Sequence, residues 1–563
     1  MTPIALVLVA SLCCAAPVDD PATVGAVRVV VPENAGAVAR SAARVFARRI
    51  EQRCDARVTT QGEAPFTVEL AIDPSLKLEG FQVADRAGGI RITSGGEAGL
   101  LYGLGKFLRS SRFDRGGFTP GTYRGRSDPV GTVRGVYLAT HFNNFYEAAP
   151  AGELERYVED LALWGTNALI ICFPHWQYDG FDDPPARKSI ERLKQVMRAA
   201  KAVGMKVGLV ETANGGFRST PKRLRSTPVP DPLGRHGNFG VNLCPDVPDA
   251  HALLLANWRL LLEEFGDPGL DLVELWPYDE GGCGCKACWP WGARGYPKLC
   301  RDLARLTRQS NPSARVIVST WTFDTPPDGE WAALSRSMDA NGPWADFILA
   351  DAHEDFPRYP LDTGVPGRLP LLNFPEISMW GQNPWGGYGA NPLPRRLQRL
   401  WDQTSRKLSG GTPYSEGIYE DLNKATVAQL YWSPDRPTSE TVREYAASEF
   451  SPEVVAEAVE AIGILENNHL RNRIGPSAER AYTLVEQARG KLSPQVQTSW
   501  RWRIFYLRCL IDRELLRTKG RLEGEPLRAA FDELTTIYHA EHAHSMPIHP
   551  PQVKPTTGAG ASR

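Results

Sequence analysis

Two adjacent carboxylates, Asp279 and Glu280, close the apolar run in DLVELWPYDEGGCGCKACWPWG (residues 271–292), and three cysteines and two tryptophans follow at once. Side-by-side acids at the end of a buried strand can divide the work of acid–base catalysis. If Glu280 lies against indole and beside the Asp279 charge, both effects raise its pKa and keep it protonated as a general acid, while Asp279 stays ionised. The plainer reading is that one of the two caps the following turn or meets an arginine. Other strand-like segments end in residues suited to polyols: His141, His175 and Trp176, Trp321, Asp351, then Trp380 and Trp385, and finally Glu416, with Arg134 near the start of the first. Carboxylates accept paired bonds from sugar hydroxyls, and indoles stack on apolar ring faces. A phosphate site would want a glycine-rich turn with Lys or Arg, and WGGYGANP lacks the base. A zinc hydrolase would want converging histidines, and the ten His include no HExxH. The expected ligand is therefore a carbohydrate, with no cofactor and no catalytic metal.

Those residues need a scaffold that gathers strand ends. Apolar strand-like segments at 134–140, 167–173, 206–212, 271–277, 315–321, 345–351, 369–375 and 412–418 alternate with helical spacing. Eight strands with helical crossovers over about 300 residues fit a (β/α)8 TIM barrel, whose chemistry sits at the C-terminal ends of the strands. The segment at 412–418 is short of branched residues. Before the barrel (130–435), residues 26–125 alternate between strand and helix patterns and predict a small α+β domain. After it, residues 437–545 carry apolar residues at three–four spacing and predict a helical domain. Residues 546–563 read as a disordered tail.

Composition agrees with a globular α/β chain: 42% apolar, 23% charged, 15 Trp and a formal net charge of −1. That balance gives no basic patch for nucleic acid. Residues 1–16 are apolar, then small, and read as a secretory signal peptide; Cys13 or Cys14 could carry a lipid. An extracytoplasmic location, periplasmic or secreted, is expected, with no transmembrane segment. Cys283, Cys285 and Cys288, with Cys300 farther on, could form disulfides or hold a structural zinc; export favours a disulfide. The sequence leaves the oligomeric state open.

Several segments resemble family 20 glycoside hydrolases, the β-N-acetylhexosaminidases, and more distantly the family 67 α-glucuronidases. EGFQVADRAGGIRITSGGEAGLLYGLGKFLR resembles the α+β domain preceding those barrels. RGVYLATHF resembles their first strand, VNLCPDVPDAHALLLANWRLLLEEFG the approach to their Asp-Glu pair, VIVSTW their fifth strand, and GGTPYSEGI their last. The resemblance implies a retaining, substrate-assisted hydrolase. Glu280 is then the general acid/base, and Asp279 orients a 2-acetamido group that attacks the anomeric carbon. Arg134 and Glu416 hold sugar hydroxyls, while Trp321 with Trp380 or Trp385 walls the pocket. Where that family carries His-x-Gly-Gly before the pair, this chain has LWPY. If the substrate lacks an acetamido group, Glu416, Glu376 or Asp351 supplies the second carboxylate.

Overall fold

The computed structural model describes residues 22–542, apart from 115, 143, 231–239, 280, 354, 379–388 and 405–406, together with residues 551–555. The signal-like residues 1–16 lie outside this set. No described helix is long and apolar enough to cross a membrane.

Nine parallel strand segments form the central sheet, which closes when Ala168–Cys172 pairs with Val133–Leu138. Seven strands run in chain order from Val133–Leu138 through Ala168–Cys172, Lys206–Thr212, Leu272–Trp276, Arg315–Ser319, Phe347–Ala352 and Leu371–Pro375. The eighth position is split between Leu408–Gly411 and Tyr414–Ser415, both paired with the first strand. The expected strand at 412–418 is thus displaced toward the N-terminus. The reason is steric. Gly410 has φ +126°, and a Cβ there would sit 1.7 Å from the Val133 carbonyl oxygen. The seam needs bare backbone, so it carries LSGG instead of a branched apolar run.

Strand alternation sorts the side chains. Val133, Tyr137, Ile170, Leu272, Trp276, Ile317, Leu349 and Phe374 form one cluster inside the barrel. Val136, Leu138, Ile171, Leu209 and Val273 face outward to the helices. Near-continuous apolar strands are what a sheet buried on both faces requires.

The N-terminal unit is a six-stranded mixed sheet with helices Ala37–Glu51 and Glu97–Arg109. Gly105 lets the second helix approach the barrel, since a Cβ there would lie 2.1 Å from the Leu163 carbonyl oxygen. C-terminal to the barrel the chain is helical, through Thr438–Tyr445, Val455–Asn467, Ser477–Arg489, Trp500–Arg517 and Glu525–Ile537. One buried ionic cluster ties all three regions. Asp160 on a barrel helix meets Arg48 at 2.8 Å and Arg501 at 3.1 Å; Arg501 also meets Asp421 at 2.7 Å, and Arg49 meets Glu449 at 3.0 Å. Burial pushes the Asp160 carboxyl up, but Arg49, Arg501 and Arg48 outweigh it and hold it well below the usual range. The tail is not wholly irregular as expected: Lys554 bridges to Glu523, its amide donating to the Leu522 carbonyl.

Candidate active site

The inward side chains at the C-terminal strand ends are aromatic. Trp276 stacks on Trp321 with ring centres 5.4 Å apart and packs on Phe374 at 4.9 Å; Tyr137 meets Tyr414 edge-on at 5.4 Å. Trp176 packs against the same cluster and meets His141 edge-on at 6.2 Å. The His141 Nδ1 lies 3.2 Å from the Tyr137 hydroxyl. Burial lowers its pKa to about 3, so the imidazole is a neutral hydrogen-bonding group across the physiological range.

Around this floor stand carboxyls from successive strands. Asp351 extends the inward series of Leu349 on the sixth strand, and one of its oxygens accepts from the His353 amide at 2.9 Å. Burial first, then the charges of Asp324 and Glu376, push it up to about 7. Glu376 continues the inward series of Phe374 on the seventh strand. It accepts from the Ser378 amide at 2.8 Å and from the Ser378 hydroxyl, two donors that fix its orientation. Glu416 is 3% exposed and accepts from the Tyr414 hydroxyl at 2.8 Å. Burial and the neighbouring Glu376 raise its pKa well above the ordinary value. Glu420 accepts from the Glu416 amide at 3.1 Å, and burial lifts it to about 7 against the pull of Lys424. Asp279 follows the fourth strand, three residues past Trp276, in a left-handed conformation, φ +69°, and burial raises it to about 6. Asp351 feels the charges of Asp324 and Glu376, and Glu416 those of Glu376 and Glu420, so these acids share one electrostatic neighbourhood.

The structure thus brings Trp176, His141, Trp321, Asp351 and Glu416 to one end of the barrel. Glu280, Trp380 and Trp385 lie outside the described residues. Two expectations need correction. Arg134 is wholly buried on the outer face of the first strand. It meets Glu79 at 2.9 Å, donates to the carbonyls of Gly165 and Gly131, and lies over the Trp432 ring at 4.9 Å. Arg134, Val136 and Leu138 share one parity, opposite to Tyr137, so this guanidinium braces the N-terminal unit and does not reach the mouth. His175 pairs with Glu211 at 3.0 Å among the rings of Phe173, Phe181 and Phe217, behind the barrel wall.

Trp276, Tyr414 and Phe374 escaped notice as lining residues, although the inward parity of Leu272–Glu274–Trp276 was available in the sequence. Asp324 follows the fifth strand in an irregular turn and carried no pattern. The cysteines also differ from expectation. Among the described residues no cysteine is joined in a disulfide, and Cys300 is buried beside Tyr296. Among the described residues, the group able to hold a metal is Cys244, Cys283, Cys285 and Cys288.

No protein-family model and no curated sequence matches the chain. Its fold is similar to several solved structures. One is BtGH115A, a family 115 4-O-methyl-α-glucuronidase with specificity for decorated arabinogalactans. The TM-score is 0.61 at 11% identity, covering 97% of this chain and 82% of that one. Another is the family 20 β-N-acetylhexosaminidase of Streptomyces coelicolor A3(2), with TM-score 0.52, 14% identity and coverage of 78% and 93%. A third is a family 89 enzyme from Clostridium perfringens in complex with GlcNAc-α-1,4-galactose, with TM-score 0.59, 10% identity and coverage of 89% and 64%. At these identities the likeness establishes the shared fold: a TIM barrel with flanking units.

Proposed function

We propose that this chain is an exported, exo-acting glycoside hydrolase that removes a terminal N-acetylhexosamine with retention. The observation that carries the reading is the barrel mouth itself. Stacked indoles form its floor, and acids with raised pKa values stand at the ends of the fourth, sixth and eighth strands. Its fold neighbours act on glycans, which agrees with that chemistry. Glu280, adjoining Asp279, gives its proton to the glycosidic oxygen as the C–O bond breaks. The carbonyl oxygen of the substrate's 2-acetamido group bonds to the anomeric carbon, and Asp279 accepts from its N–H. Glu280, now ionised, takes a proton from the water that opens the resulting ring.

One observation favours a second route on the same scaffold. Glu376, fixed by two Ser378 donors and aimed inward, has the setting of an enzyme nucleophile. A uronate-specific version has less support. A uronate would want a free cation, but Arg134 is engaged with Glu79, Arg218 pairs with Asp179 at 2.8 Å, and Lys424 is buried against the Gly417 carbonyl at 2.6 Å.

Nitrophenyl glycosides of N-acetylhexosamines, hexoses and glucuronic acid test both routes against wild type, Glu280→Gln, Asp279→Asn and Glu376→Gln. The substrate-assisted route expects turnover of N-acetylated substrates only. Glu280→Gln then costs roughly 10²–10⁴ in kcat/KM with poor leaving groups, and Asp279→Asn costs far more than Glu376→Gln. The reverse order of the last two, with turnover of substrates lacking the acetamido group, assigns the nucleophile to Glu376. Full activity of Glu280→Gln on every substrate refutes both.

A further inference from the structure

We infer that Cys244, Cys283, Cys285 and Cys288 form a tetrathiolate site for one Zn²⁺ ion, which staples the loop carrying the Asp279–Glu280 pair. Each of the four sulfurs lies within 4.8 Å of the other three. The Cys244 and Cys285 sulfurs are 3.7 Å apart. A disulfide would need about 2.05 Å. A tetrahedron of sulfurs around zinc, with Zn–S about 2.3 Å, has edges of about 3.8 Å. The observed spacing is that of four ligands sharing a centre.

The surroundings are also built. Three of the four cysteines are buried and Cys285 is half-buried, so an ion there would be largely shielded from water. The two contributing segments are locked together independently of the sulfurs. Asn214, at the end of the third strand, exchanges hydrogen bonds with the Gly282 backbone, accepting from its amide at 3.0 Å and donating to its carbonyl at 2.9 Å; it also donates to the Leu243 carbonyl at 3.0 Å. Leu243 and Gly282 each immediately precede a cysteine of the cluster. One amide therefore sets the separation of Cys244 from Cys283, as outer partners do in structural metal sites. Tetrahedral sulfur ligation with no open position selects a thiolate-preferring ion, and fits a structural role.

The test is metal content of the full chain purified without chelator, read by elemental analysis, together with zinc released on titration with a mercurial thiol reagent. Wild type is expected to carry about one zinc per chain, released in step with modification of four thiols. Cys300→Ser is expected to keep it; Cys244→Ser and Cys288→Ser are expected to lose it. If the latter two do not fold, the release titration on wild type decides alone. Absence of zinc from wild type, iron in its place, or loss of the ion from Cys300→Ser instead of Cys244→Ser overturns the assignment. The readout is independent of glycosidase activity, so it stands or falls apart from the proposed function.

Discussion

Glu274 points into the barrel from the middle of the fourth strand, fully buried, and among the described residues its one hydrogen-bonding contact is the Thr412 hydroxyl at 3.5 Å. Burial raises its pKa from 4.5 to about 8. The folded value lies above the unfolded one, so the folded state holds a proton that the unfolded chain releases. The associated stability is complete below about pH 4.5 and is lost as pH rises through about 8. Each unit of pH inside that window costs about 1.4 kcal/mol, so raising the pH from roughly 5 to 7 costs the wild type about 3 kcal/mol through this group alone. Glu274→Gln keeps the shape and removes the proton. The two proteins should be within about 1 kcal/mol of each other near pH 5. The variant should then become progressively the more stable, by about 3 kcal/mol more at pH 7. Urea unfolding of both proteins side by side, followed by tryptophan fluorescence from pH 5 to 8, reads the difference while slopes from all other groups cancel. A difference that does not change with pH would show Glu274 ionised in the fold, and the burial argument would fail.

Arg134→Gln leaves Glu79 without its charge partner beneath the N-terminal sheet. It should cost about 3 kcal/mol in denaturant unfolding while leaving KM unchanged in whatever fraction stays folded; a selective rise in KM would return Arg134 to the site. Trp321→Ala removes half of the indole stack and should raise KM roughly tenfold with little change in kcat, measured on the best nitrophenyl substrate; an unchanged KM would place the sugar elsewhere. Gly410→Ala forces a Cβ onto the Val133 carbonyl at a left-handed φ, and should destabilise by about 3 kcal/mol or more, seen as a lowered thermal midpoint; a wild-type midpoint would mean the seam is open.

The barrel was legible because seven of its strands are double-faced apolar runs, as in NALIICF and RVIVSTW, and each lies within two residues of its expected bounds. The eighth was not, because its constraint is the absence of side chains at Gly410 and Gly411, and a search for branched residues passes over it. Site residues followed the same division. Asp351 and Trp321 follow directly from strand ends, and the structure sets them at the mouth. Arg134 and His175 were misread for lack of parity: Arg134 shares its face with Val136 and Leu138, and His175 follows Phe173, an outward ring. Cys244 was invisible as a partner of Cys283 because they lie 39 positions apart and proximity arises only through the third and fourth strands.

The ionic cluster of Arg48, Arg49, Asp160, Asp421, Glu449 and Arg501 bears on any attempt to shorten the chain. Its members come from the first helix, the barrel and the C-terminal helices, and each neutralises groups on a different part. A barrel excised at its own ends would keep Asp160 and Asp421 in the hydrophobic wall with their counter-ions gone. It would have to rehydrate that wall or take up protons to survive. Minimal versions and hybrids with other barrels therefore need neutral replacements at those two acids, or must inherit the flanking helices as a set.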